Sequence, residues 1–172
     1  MNLRTAFRTV FFAAALAVLS LAASAQTFNH QGVTLTAPVA LTTDGPTKGT
    51  TSSGLPYTET IYTGTLPNSD MFFVGICEYD TAGLSTTLSA FGDAFVAGTT
   101  HGKILKSFPV TVSGLPALGL TIEVPEGNRT IRMGWVGVIK GNRAYQFVFG
   151  SYLDVQSNMV QVGTFFDSIT IN

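Results

Sequence analysis

The stretch Leu120-Thr121-Ile122-Glu123-Val124-Pro125-Glu126-Gly127-Asn128-Arg129-Thr130-Ile131-Arg132-Met133-Gly134-Trp135-Val136-Gly137-Val138-Ile139-Lys140-Gly141-Asn142-Arg143-Ala144-Tyr145-Gln146-Phe147-Val148-Phe149 decides the fold. Its two Gly-Asn dipeptides stand where two-residue hairpin turns belong, between runs rich in β-branched and aromatic residues. If both are such turns, the cross-strand register follows. Lys140 then faces Arg143, Val138 faces Tyr145, Val136 faces Phe147 and Gly134 faces Phe149. Across the other turn Val124 faces Ile131, Ile122 faces Met133, Leu120 faces Trp135, and Glu123 meets Arg132. One face of this sheet carries Val136, Val138, Tyr145, Phe147 and Phe149, and the other Leu120, Ile122, Val124, Ile131, Met133, Trp135 and Val148. Both faces are apolar, so both need a covering layer.

Two segments have the helical period needed to supply it. Leu84, Leu88, Phe91 and Phe95 recur at spacings of four, three and four, which predicts a helix over 85–97 stopped by Gly98 or Gly102. Met159, Val162 and Phe166 predict a second helix with Ser157 as its N-cap, before a short strand over 168–171. The expected fold class is therefore α+β, a central antiparallel sheet with helices packed on its faces. Upstream, Phe28 to Pro38 reads as one first strand and residues 42–56, rich in Thr, Gly, Ser and Pro, as a long mobile loop. Tyr57 to Leu66 and Met71 to Tyr79 read as a hairpin around Pro67-Asn68-Ser69-Asp70.

The N-terminus is of another kind. Arg4 and Arg8 precede an apolar run from Val10 to Leu21, and Ala23-Ser24-Ala25 stands before Gln26. That order is the one a signal peptidase reads, and a run of about a dozen residues is short of the roughly 20 a spanning helix needs. Residues 1–25 are thus expected to be a cleaved signal peptide, leaving residues 26–172 as one globular domain without a stable membrane anchor, in the periplasm or outside the cell. The nine basic residues less Arg4 and Arg8, against ten acidic ones, leave a formal charge of minus 3 on that domain, which argues against a nucleic-acid footprint. Cys77, alone of its kind, can form no intramolecular disulfide and sits in a run with the character of a buried strand.

At this point the chain resembles a known group. Gly141-Asn142-Arg143-Ala144-Tyr145-Gln146-Phe147 followed by a helix closing in Phe165-Phe166-Asp167-Ser168-Ile169 is similar to the C-terminal part of the PsbP-like fold group, which includes the Ran-binding Mog protein and many exported bacterial proteins. Gly32-Val33-Thr34-Leu35-Thr36-Ala37-Pro38 is similar to that group's first strand. The resemblance implies an α/β/α sandwich and a binding or assembly role, and carries no catalytic residues over.

No set of catalytic, metal-binding or cofactor-binding residues stands out, and no cofactor is expected. His30 and His101 have no ligand partner at zinc spacing. Nucleophile-elbow and phosphate-loop motifs are absent from the sequence. Glu78 and Asp80 would share a strand face and, with His101, form the set a small hydrolase would need; solvated carboxylates at a strand end are the simpler reading. Arg129, Arg132, Lys140 and Arg143 form either a basic patch or, with Glu123 and Glu126 among them, a mixed rim. Trp135, beside Gly134 and Gly137, either lines a ligand space or packs under a helix. Asn128-Arg129-Thr130 is a sequon without assigned role. The sequence therefore favours a noncatalytic exported module for a protein or envelope partner, against a small hydrolase or a carrier of an apolar ligand.

Overall fold

The structure is a computed structural model and describes residues 25–51, 54–80 and 86–172. The signal peptide expected over 1–25 lies, but for Ala25, outside the described residues, as does Leu84 of the first apolar stripe. Strands β1 (Gln26–His30), β2 (Val33–Ala37), β3 (Thr42–Thr50), β4 (Pro56–Thr65) and β5 (Met71–Tyr79) lead to helix α1 (Leu88–Gly98). Then come β6 (Lys103–Val112), β7 (Leu115–Glu126), β8 (Arg129–Lys140), β9 (Arg143–Tyr152), helix α2 (Met159–Asp167) and β10 (Thr170–Ile171). Seven strands pair in the order β3-β4-β5-β9-β8-β7-β6, and three form a separate sheet, β1-β2-β10. All the strand pairings are antiparallel.

The hairpins β7–β8 and β8–β9 have the register read from the two Gly-Asn turns, including Leu120 opposite Trp135, Glu123 opposite Arg132 and Val138 opposite Tyr145. Gly127 and Gly141 take φ of 60° and 62°, the left-handed conformation that the first position of a tight hairpin turn requires and that a residue without Cβ adopts freely. The two apolar faces are also as read. Val138, Tyr145, Phe147 and Phe149 belong to one core, and Leu120, Ile122, Met133, Trp135 and Val148 to another on the opposite side.

The covering layers differ from the expected α+β sandwich. The chain is β-rich, with two antiparallel sheets and, among the described residues, two helices of 11 and 9 residues. Helices this short cannot roof a sheet whose central strands run to 12 residues. On the Tyr145 side the small sheet does most of the covering, through Phe28, Val33, Leu35 and Ile171, with Val162 and Phe165 of α2 beside them. The small sheet exists because Phe28 to Pro38 is a hairpin and not one strand. Gln31 and Gly32 take φ of 49° and 81°, turning the chain so that Phe28 pairs with Leu35.

Residues 42–56, read as a loop, hold edge strand β3, paired from Thr42–Thr63 to Thr50–Pro56 with a bulge between Asp44 and Thr47. Its side chains are nearly all exposed, so no alternation of apolar residues marks it. Helix α1 is capped by Thr87, whose Oγ1 accepts the Ala90 N–H at 3.1 Å. The cap of α2 is Asn158 and not Ser157: its Oδ1 accepts the N–H of Val160 and Gln161, while Ser157 hydrogen-bonds Asp70 and Ser151. With that start the buried residues of α2 are Val162 and Phe165, and Met159 is 67% exposed.

Candidate ligand-binding site

The residues singled out in sequence do not assemble into a reactive set. Glu78 and Asp80 stand at the end of β5, whereas His101 precedes β6 on the far side of β9, β8 and β7. Four interstrand steps of about 4.8 Å already separate β5 from β6 by roughly 19 Å. The antiparallel order also places the end of β5 and the start of β6 at opposite ends of the sheet. Glu78 is engaged by Arg143 at 3.2 Å. His101 is exposed with φ 60°, and His30 stacks on Tyr62 with centroids 5.3 Å apart. The hydrolase set thus has no common centre.

The basic residues do not form one patch either. Arg129 and Arg132 lie at one end of β8, and Lys140 at the other with Arg143. Each of the three arginines has an acidic partner: Asp154, Glu123 and Glu78. Arg129 also lies over the Tyr152 ring at 3.5 Å from its centroid. These pairs are mostly exposed and contribute little to stability; a mixed rim is what the positions form.

Trp135 packs under α1. It is 1% exposed, with Phe91 edge-on at 5.3 Å and Phe95 stacked at 5.7 Å. Gly92 brings the helix close: a Cβ there would stand 3.0 Å from Leu120. A Cβ on Gly137 would meet the indole at 2.0 Å, so the glycine makes room for the ring itself rather than for a ligand. The opposite core is filled likewise by Phe72 against Phe149 and Phe165 at 5.3 and 5.1 Å. A carrier of an apolar ligand finds no support in this ring packing.

Polar groups converge instead beside α1, on the part of the same face formed by β4, β5 and β9. Cys77 and Ala144 are buried, small floor residues; Tyr79 lies with them, and the partly buried Leu55, Tyr57, Phe91 and Ile139 surround them. Large, partly buried side chains around a buried floor of small ones make a shallow apolar dish. Glu59 stands at its side, half-buried, directly across from Cys77 in the β4–β5 register. Cys77 Sγ–H donates to Glu59 Oε1 at 3.5 Å, and Gln146 Nε2 donates to the same oxygen at 3.5 Å. Trp135 Nε1 donates in turn to Gln146 Oε1 at 3.3 Å, so the indole is wired to the carboxylate through one amide. Among the described residues Glu59 Oε2 and the hydroxyls of Tyr57 and Tyr79 have no hydrogen-bond partner.

The electrostatics belong to a binding site rather than a nucleophile. Burial raises the Cys77 thiol well above its ordinary value, and the charge and hydrogen bond of Glu59 raise it further, so the sulfur stays a neutral donor. Burial also raises the Glu59 carboxyl, and the thiol's hydrogen bond works against that rise. Burial raises Tyr57 and Tyr79 most, and their neighbours Glu59 and Cys77 add to the rise, which places all four groups within electrostatic reach of one another. Among the described residues no group of three His, Cys, Asp or Glu side chains could hold a metal ion.

Neither Glu59 nor Gln146 was singled out in sequence, yet each left a signal. Glu59 interrupts the alternation Tyr57, Glu59, Ile61 on one strand face, and Gln146 is the polar residue in Ala144-Tyr145-Gln146-Phe147-Val148, where both strand faces are buried. A polar side chain at an inward position needs a partner, and each is the other's.

The fold is PsbP-like. Its likeness is to the solution structure of the cyanobacterial PsbP, CyanoP, from Synechocystis sp., with a TM-score of 0.60 and 14% sequence identity, covering 91% of this chain and 98% of that one. A protein of unknown function from Pseudomonas aeruginosa also aligns, at a TM-score of 0.41 and 10% identity, over 74% of this chain and 82% of that one. No family model and no curated protein matches the sequence. At such identities the likeness is one of fold, and it does not reach the Ran-binding Mog type. Among the described residues no helix is long and apolar enough to cross a membrane.

Proposed function

We propose that this chain is an exported, noncatalytic binding or assembly module of the bacterial envelope or secretome, and that it engages its partner through the dish beside α1. The observation that carries this reading is the convergence of Glu59 Oε2 with the Tyr57 and Tyr79 hydroxyls, polar groups lacking partners among the described residues, around a buried apolar floor. Concave apolar surface with a few convergent polar groups is the usual form of a binding site. The basic n-region, apolar run and small-residue site before Gln26 support export. The separation of Glu78 and Asp80 from His101 removes the only residues proposed for catalysis.

The test is capture from the native envelope with the tagged protein beside its Tyr57→Ala variant. A partner enriched by the wild type and lost with the variant is the expected result. No partner enriched over the variant, with both proteins folded, overturns the reading.

A further inference from the structure

The dish holds a carboxylate, Glu59, that has no ion-pair partner among the described residues. Glu59 stands 3.5 Å from a thiol and 3.5 Å from an amide, both neutral donors bound to Oε1. Among the described residues the arginines pair with Asp154, Glu123 and Glu78 and none pairs with Glu59; Arg143, on the neighbouring strand, is committed to Glu78. A partly desolvated carboxylate is stabilised by an opposite charge when one is at hand, and among the described residues none is paired with Glu59.

The surroundings say which kind of cation fits. Tyr57 and Tyr79 lie with ring centroids 5.7 Å apart at 46°, and Phe91 closes the same cluster from α1. Aromatic faces attract a poorly hydrated cation through the ring quadrupole, most strongly where water is partly excluded. A hard metal ion would want six or more oxygen ligands, and the dish offers one carboxylate. We propose that the dish binds an organic cation, an alkylammonium or quaternary ammonium group, with the Glu59 carboxylate as its counterion, Tyr57 and Phe91 as its walls and the buried Tyr79 ring behind Tyr57. This rests on the reading of the dish as the binding site and names the ligand chemistry it selects.

Trp135 supplies the readout, being the only tryptophan and hydrogen-bonded through Gln146 to Glu59. Its emission is followed as the protein is titrated with tetramethylammonium chloride, with sodium chloride at equal ionic strength as baseline and tert-butanol as a neutral probe of similar bulk. The expected result is a saturable change with tetramethylammonium alone, with affinity at least tenfold weaker in Glu59→Gln and weaker again as the pH falls through the carboxylate range. Near-ultraviolet circular dichroism checks that Glu59→Gln is folded; if it is not, Tyr57→Leu, which removes a ring face but no charge, should still weaken binding several-fold. No saturable change in the wild type, or unchanged affinity in a folded Glu59→Gln, overturns the proposal. Equal binding of tert-butanol also overturns it while leaving the binding-module reading intact, which only failure of the envelope capture removes.

Discussion

Glu59 and Cys77 face each other across β4 and β5, and the Cys77 thiol donates its hydrogen to the Glu59 carboxylate at 3.5 Å. The pair joins a buried donor to a half-buried acceptor, so what changes the charge of one is felt by the other and by Tyr57 and Tyr79 beside them.

The first expectation concerns pH. Burial raises the Glu59 carboxyl above its unfolded value, so the folded protein holds that proton more tightly. The associated stability is present below the unfolded carboxylate value and is lost as pH rises through the folded one. Glu59→Gln removes the titration. Urea unfolding at about pH 4 and about pH 7 should show the variant gaining on the wild type at the higher pH; parallel behaviour would contradict the assignment.

Cys77 should be chemically silent while the protein is folded. It is 6% exposed and its thiol is pushed well up, so little reactive thiolate is accessible. Alkylation by iodoacetamide in the native state should be slower than in urea by on the order of 10³-fold, because it must wait for an opening event. Comparable rates in the two conditions would place the thiol at the surface.

Trp135 anchors the α1 layer, and its loss should be severe. Trp135→Ala should destabilise the protein by about 3–5 kcal/mol, since the indole is fully buried between β8 and two phenylalanine rings. Gly137→Ala should also destabilise, by about 1–3 kcal/mol or more, because the added methyl overlaps that ring. Denaturant melts of both variants check this, and a neutral Gly137→Ala would mean that the indole can move aside.

Gly141 isolates backbone conformation from packing. Nothing lies within 4 Å of a Cβ placed there, yet its φ is 62°. Gly141→Ala should cost about 1–2 kcal/mol through the left-handed backbone alone. A destabilisation near zero in thermal or urea unfolding would show the turn adopting another form.

The export expectation is checked by mass. The protein recovered from its native envelope or medium should begin at Gln26, and intact-mass measurement finding Met1 on that material would remove the compartment from the proposed role.

What could be read in the chain depended on the distance between paired residues. In β7, β8 and β9 each residue pairs across a two-residue turn with one no more than 21 positions away, as Ala117 with Val138 and Ile131 with Tyr152, so once Gly127 and Gly141 are placed the alternation dictates both faces and every pair. The β5 strand, a long apolar run ended by turn residues, was legible for the same reason. Strand β3 was not, because an exposed edge has no buried face to pattern. Phe28 to Pro38 reads as one strand from the alternation of Val33 and Leu35 with Thr34 and Thr36, which does not extend in phase to Phe28; only the chain reversal at Gln31-Gly32 sends Phe28 back onto Leu35.

By itself the sequence determined the local matters: the central hairpins with their register, and two apolar faces that demanded cover. Tertiary structure alone decided what supplies the cover and where chemistry gathers. A small sheet closed by β10 covers part of one face, and the pairing that closes it, between residues 33 and 171, leaves no local trace in the sequence. The Glu59, Cys77 and Gln146 site arises because β4, β5 and β9 lie side by side, which sets residue 146 against residue 59 across 87 positions of chain. Short-range periodicity records which side of a strand is buried; it holds no record of which distant strand lies next to it.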